Sequence, residues 1–519
     1  MRAAALLGAL AAAIVAGMSA PSAAADDGHG FLTSKPPMLK ALVSKAKVKP
    51  IITVGEKVKD YRFEAIPDGI ALRARGDDDD DEKVDVWVNH ETSTVPFPYV
   101  SAAPTISNSM NDFDNSQLSH LVLDEESKGV IAGSFAISSS ANFQRFCSNF
   151  LATSREGFNR PLLFTNEEAT DLVNRTGEAW PAGPGAEQAG LVVAYDPRSK
   201  ESRPIYGLGR MNHENTVAVP GYRHPVLLTG DDTFVAPSSQ LYMYTAASRG
   251  DVWNDKGHLW AFVSGVPAIN DYGDLSAIQS VPGTFIPVPD DVARGDQTGL
   301  ETWSNANNVF QFIRVEDIAY DRRRPNIVYF ADTGEPRAIP DPNTGRLMRG
   351  QSGTMGPYMN GRIFKLVLDR VDPTKVLSLS ILIDADTGGY GNQNVIHQPD
   401  NVETTRDSLL VTEDPGSHNQ YAVGAGPNAR IWRYEFEESE LDPVAMVDQS
   451  ADPAARAGAW EASGIVSASA LGSGAFLVAV QAHTLFVETA PGPDLKPPAG
   501  PDWLYKREGG QLLLLRLRD

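Results

Sequence analysis

Val226-Leu227-Leu228-Thr229-Gly230-Asp231-Asp232, followed after a short polar break by Leu241-Tyr242-Met243-Tyr244, decides the fold. An apolar run of strand length ends in acidic residues and is answered by a second, aromatic-rich strand. The same unit recurs three times. Pro161-Leu162-Leu163-Phe164-Thr165-Asn166-Glu167-Glu168 precedes Gly190 to Asp196, and Ile327-Val328-Tyr329-Phe330-Ala331-Asp332-Thr333-Gly334-Glu335 precedes Gly361 to Leu366. Leu409-Leu410-Val411-Thr412-Glu413-Asp414 precedes Arg430-Ile431-Trp432-Arg433-Tyr434. Strand, acidic turn and strand repeated in this way is what radial repetition looks like in sequence. Helical periodicity is scarce, and 36 prolines with 45 glycines serve the many turns such a chain needs. The reading is therefore all-β, a β-propeller rather than a sandwich, with six blades expected in one large domain spanning 76–519.

Outside those repeats the chain is read as follows. Met1 to Ala25 combines Arg2, an apolar stretch and the small-residue end Ala23-Ala24-Ala25, the pattern of a secretory signal cleaved before Asp26. No twin arginine precedes the apolar core, so a Sec-type route and a secreted or periplasmic protein are expected. Residues 26–75 read as an N-terminal lead-in segment. Asp77 to Asp81 reads as a solvated loop tip, and Asp290 to Asn307 and Gly345 to Pro357 as polar loops over one face. After signal cleavage no apolar run approaches the roughly 20 residues of a spanning helix, so no membrane partner is expected. A net charge of −21 argues against nucleic acid and anionic membranes. A monomer is expected. With Cys147 alone, no intramolecular disulfide exists, so stability comes from the core, from bound metals, or from both.

In a propeller the inner strands converge on a central channel, and acids at equivalent strand ends meet in one small volume. Besides the four turns above, Asn89-His90-Glu91, Asn212-His213-Glu214, Glu316-Asp317 and Asp400-Asn401 supply further clusters. Like charges so placed repel unless cations lie between them. Glu91, Glu167, Glu168, Glu214, Asp232, Glu316, Asp332, Asp400, Glu413 and Asp414 are the candidate metal ligands. Their oxygens suit calcium or magnesium, and an added thiolate or imidazole suits iron. The stretch from Ser463 to His483 has no acid and adds no carboxylate ligand. G-x-S-x-G, H-E-x-x-H, a phosphate-cradling glycine loop and Cys-x-x-Cys are all missing, which leaves nucleophilic serine or cysteine catalysis, zinc proteolysis and nucleotide-dependent transfer unsupported.

Ordered motifs then carry a resemblance. Asn142 to Phe150 leads to Leu163 to Glu168; Gly209-Arg210-Met211-Asn212-His213-Glu214, Phe312 to Asp317, Tyr329 to Gly334 and Gln398-Pro399-Asp400-Asn401 follow. Together, from Trp87 to about Glu488, the chain resembles the PhoX-type alkaline phosphatases. That resemblance implies a six-bladed propeller whose channel holds an iron pair and several calcium ions, with Cys147 at the position of an iron ligand. It implies a phosphomonoester substrate. This chain departs from the family's pattern at Phe146-Cys147-Ser148-Asn149-Phe150 and, in its later turn, at Asn166, where the family has cysteine.

The expected chemistry needs no side-chain nucleophile: cations bind the phosphoryl oxygens and activate a metal-bound oxygen that attacks phosphorus in line. Arg314 is the candidate for gripping the phosphate. His213, like His90, precedes a carboxylate and is a candidate orienter or general acid. Rival readings on the same scaffold are a lactonase-like calcium-dependent hydrolase and a non-enzymatic calcium-binding propeller.

Overall fold

The computed structural model describes residues 30–75, 82–95, 110–233, 238–389, 391–415, 428–453, 455–491 and 504–517. Met1 to Ala25 and the Asp77 to Asp81 run lie outside them. The apolar runs fold as antiparallel strands, and their sheets form six blades. The inner strands are Pro67–Ala74, Phe146–Ala152, His213–Ala218, Val315–Tyr320, Pro399–Thr404 and Glu461–Ser467. Each packs against the next, and the sixth packs against the first, so the ring closes.

The second strands, such as Leu162–Glu167, Val226–Asp231 and Ile327–Asp332, are buried at every position. Each lies between the faces of two neighbouring blades, which is why they read as continuous apolar runs rather than as an alternation. Between the third and fourth blades, for example, Leu228, Met243 and Phe262 share a core with Ile318, Phe330 and Phe364. Those two blades are also joined at their outer edges: Ser280–Pro287 pairs with both His258–Ser264 and Lys375–Asp384, giving one nine-stranded sheet.

The chain start closes the ring. Lys47–Thr53 forms the outer strand of the sixth blade against Leu504–Arg516, and Leu39–Ala41 pairs with Leu441–Val447 on the fifth. Pro67–Ala74 is itself the inner strand of the first blade. The stretch read as a lead-in thus supplies strands to three blades.

One irregularity repeats in every blade. The inner strand pairs with the second strand at one position, or two in the sixth blade, then slips register, between Pro67 and Ile70, Phe146 and Asn149, His213 and Thr216, Val315 and Ile318, Pro399 and Val402, and Ala462 and Ile465. Two inner-strand residues oppose one on the partner, which is a β-bulge, and bulges re-aim side chains. The bulged pairs are Asp68-Gly69, Cys147-Ser148, Glu214-Asn215, Glu316-Asp317, Asp400-Asn401 and Ser463-Gly464. Gly69 and Gly464 are required by close approach: a Cβ on Gly69 would lie 2.5 Å from the Ser148 Cα, and one on Gly464 would lie 2.4 Å from the Asp68 carbonyl oxygen. The residue entering the bulge has positive φ in three blades, at Ile66 (48°), Arg145 (42°) and Gln398 (51°). Non-glycine residues pay for such backbone with strain, and it concentrates where geometry serves function.

Candidate metal centre

The first residue of each bulge turns into the channel. Asp68, Cys147, Glu214, Glu316 and Asp400 therefore converge from five consecutive blades, and the sixth supplies Ser463. Glu91 and Glu168, each one residue past the end of a second strand, approach from the same side. Donor atoms of Asp68, Glu91 and Cys147 lie within 4.8 Å of one another; so do those of Cys147, Glu168 and Glu214, and those of Glu214, Glu316 and Asp400. The three groups share Cys147 and Glu214 and so form one continuous row. They line a cavity of about 550 Å³.

That cavity is strongly acidic. Eleven carboxylates line it, against Arg145, Arg314, Arg456, Lys506 and one imidazole. Burial first, then the Glu91 charge, pushes Asp68 up to about 7. Burial and then Asp232 raise Glu168; burial and then Asp68 raise Glu214; burial and then Glu316 raise Asp400. The Cys147 thiol is held well above its usual range by burial and the acids around it, and its Sγ lies 3.1 Å from Asp68 Oδ2. Both carboxylate oxygens of Glu214 and Oδ1 of Asp68 are buried without a hydrogen-bond donor, apart from the Cys147 thiol beside Glu214. Buried anions without donors are costly, and cations between them remove the cost. The donor set, many carboxylate oxygens and one sulfur, fits a group of metal ions.

The remaining expected residues divide cleanly. Asp414 lines the cavity but lies against Glu461. Asp232 is fully buried and gripped by Arg314, whose Nε and Nη2 donate at 2.8 and 2.6 Å. Arg314 also stands 3.2 Å from Glu316, so its guanidinium, expected to grip phosphate, holds two carboxylates in place. Glu167, Asp332 and Glu413 sit at the last position of their second strands and face away from the row. Glu167 accepts from the Gln144 backbone and pairs with Arg175 at 2.8 and 2.9 Å. Asp332 accepts from the Ile313, Arg314 and Gly334 backbones. Glu413 accepts from the His397 backbone and from Trp432 Nε1, and pairs with Arg430. All three clip the chain as it enters or leaves an inner strand. His213 is also outside the cavity: Thr229 Oγ1 lies 2.8 Å from its Nδ1 and the Gly209 carbonyl 3.2 Å from its Nε2. Burial lowers it to about 4, so it is a neutral packing residue rather than an acid. His90 is held in the same manner by Ala65 and Ser119.

Several lining residues were not anticipated: Asp68, Asp112, Arg145, Glu461, His483 and Glu508. Pro67-Asp68-Gly69 has the composition of a tight turn, which masks an inner-strand acid. Glu461 stands just before the acid-free stretch that begins at Ser463.

Comparison with known proteins now bears on the site. Residues 151–467 match the family model for the alkaline phosphatase PhoX. The chain belongs to the PhoX alkaline phosphatase family. Phosphatase activity comes with that membership. Among solved structures, Pseudomonas fluorescens PhoX in complex with vanadate, a transition state analogue, aligns over 94% of this chain and 97% of its own, with TM-score 0.58 and 14% identity. At that identity it supports the fold. A nidogen/laminin complex aligns with TM-score 0.25 and 8% identity over 64% of this chain and 90% of its own. A comparison with curated protein sequences gives no match.

Proposed function

We propose that this PhoX-family chain is an exported phosphomonoesterase whose channel row holds iron and calcium ions. The observation that carries the reading is the continuous row of donors sharing Cys147 and Glu214. Cys147 is the one soft donor, which favours iron beside it, and the oxygen-only group of Glu214, Glu316 and Asp400 favours calcium. Export is supported by the signal-like sequence of Met1 to Ala25. That P. fluorescens PhoX is complexed with vanadate, an analogue of a phosphoryl-transfer transition state, supports a phosphate ester as substrate.

When bound, such cations would neutralise phosphoryl oxygens and lower the pKa of an attacking water. The chain's own contribution is positioning. The bulges set the donors, Arg314 fixes Asp232 and Glu316, and Gln481 Nε2 ties Asp68 Oδ2 at 3.0 Å to Glu91 Oε2 at 3.1 Å. Arg145, fixed by Asp171 at 2.7 Å, adds positive charge to the cavity wall, where a phosphate dianion gains from it. Purified protein assayed on a generic phosphomonoester, with and without chelator, and weighed for metals by elemental analysis tests the reading. Chelator-sensitive hydrolysis with bound iron and calcium is expected. Full activity in a metal-free protein would refute it.

A further inference from the structure

Cleaving a phosphomonoester of an ordinary alcohol leaves an alkoxide that needs a proton, and the donor row cannot give one once its carboxylates and thiol bind cations. Among the described residues, the cavity contains one imidazole, that of His483. It comes from the second strand of the sixth blade, Ala475–Pro491, which continues past the blade and is paired there with Leu504–Arg516. His483, Thr484, Lys506 and Glu508 of these extended strands line the cavity, and Gln481 on the same strand as His483 donates to Glu91 at 3.1 Å. His483 is half-buried, like Glu91 and Glu168, whereas Glu214 is fully buried. A phosphoryl group lying on the row would share this cavity with the imidazole.

The imidazole is oriented as a proton donor is. Its Nδ1 lies 3.3 Å from Glu508 Oε2, a hydrogen bond that fixes the ring. Its Nε2 lies 3.8 Å from Glu461 Oε1, beyond hydrogen-bond reach but close enough to favour the cation. Glu508 is in turn held by Lys506 Nζ at 2.9 Å. The other charges near His483 are Glu91, to which Gln481 donates, and Asp414 beside Glu461. Burial works against the cation, but Glu461 and Glu508 outweigh it and raise the imidazole well above its usual range.

We propose that His483 is the general acid of this site, giving its Nε2 proton to the leaving-group oxygen as the ester bond to phosphorus breaks. The proposal rests on the phosphatase reading above. In balance, water supplies the new oxygen–phosphorus bond and releases one proton to solvent, the electron pair of the broken bond goes to the leaving oxygen, and that oxygen takes the His483 proton. The ring is then reprotonated from solvent.

Leaving-group dependence separates this role from a structural one. A simple alkyl phosphate needs the proton; dinitrophenyl phosphate releases a phenolate stable without it. In cation-loaded protein, His483→Gln is expected to lower kcat/KM for the alkyl ester on the order of 10²-fold or more, the usual weight of a general acid, and for the dinitrophenyl ester less than about tenfold. Equal losses on both esters, or an unchanged rate on the alkyl ester, would overturn the proposal and leave the phosphatase standing. Wild-type protein that hydrolyses neither ester would instead overturn the phosphatase reading, and the acid with it. Glu508→Gln keeps the imidazole and decides the matter if His483→Gln does not fold. It should move the alkaline fall of alkyl-ester hydrolysis to lower pH, and an unmoved profile would count against His483.

Discussion

Stripping the cations should make the stability of this propeller fall as pH rises, and the size of the effect follows from the row. Two ionised groups 4.8 Å apart repel by about 3–4 kcal/mol at an effective dielectric constant near 20. Three overlapping groups of this kind would exceed the roughly 5–15 kcal/mol that holds a domain together, so the cation-free cavity takes up protons instead. Asp112, in the cavity wall, is raised by burial from 3.8 to about 6. The unfolded chain releases that proton near pH 4 while the folded one keeps it. The favourable contribution is therefore complete below pH 4 and lost as pH rises through 6, leaving a deficit of about 3 kcal/mol by pH 8. With an unfolding entropy of about 1 kcal/mol per kelvin for a chain this long, one such group shifts Tm by about 3 °C. Asp68, Glu91, Glu168, Glu214, Glu316 and Asp400 are raised in the same direction. Chelated protein should therefore lose on the order of 10 °C or more between pH 5 and pH 8, and added cations should restore it most strongly at the alkaline end. Thermal unfolding at several pH values, with and without chelator, measures this. Coincident curves at pH 8, or a gap that does not widen with pH, would refute a cation-filled channel.

Glu168→Gln and Glu214→Gln each remove one negative donor from the row and should cost at least 10²-fold in phosphomonoester turnover with the fold intact by circular dichroism. Glu167→Gln, one residue away, should instead lower the unfolding free energy by about 2–3 kcal/mol, because Arg175 and two backbone donors lose their charged partner, while turnover per folded molecule stays near normal. Cys147→Ser should strip iron and any visible charge-transfer colour while calcium remains, as read by elemental analysis and absorption; unchanged iron would remove Cys147 from the site. Gly69→Ala forces a Cβ to 2.5 Å from the Ser148 Cα, so it should destabilise the protein and weaken iron retention together.

The fold was legible because a propeller writes itself as repetition. Four second strands end in acids, and their apolar runs lack alternation because both faces are covered by neighbouring blades. Blades one and six were harder to see. Lys47–Thr53 reads as lead-in because its partner, Leu504–Arg516, lies at the far end of the chain. The first inner strand opens on Pro67-Asp68-Gly69, turn residues that a bulge, not a turn, requires here.

In the candidate site, Glu91, Glu168, Glu214, Glu316 and Asp400 fall in the row as expected, whereas Glu167, Asp332 and Glu413 face away from it. Successive side chains along a strand point to opposite sides, so Glu167 and Glu168 cannot both face the channel. The register decides between them. Phe146 pairs with Glu167 at the last rung of the ladder, which aims Glu167 back at the entering chain and frees Glu168, one step later, for the row. Val315 pairs with Asp332, and Pro399 with Glu413, and both acids clip backbone in the same way. The rung is a property of two strands, not of either run of residues alone. A cluster such as Asn166-Glu167-Glu168 therefore announces a channel end but not which carboxylate enters it. The inner-strand bulge adds the complementary half: by placing two residues opposite one, it turns Cys147 and Glu214 inward at a position where a regular strand would have continued the ladder. The chemistry of the site is thus fixed where the ladder stops being regular, and that is the part of the structure hydrophobic periodicity does not encode.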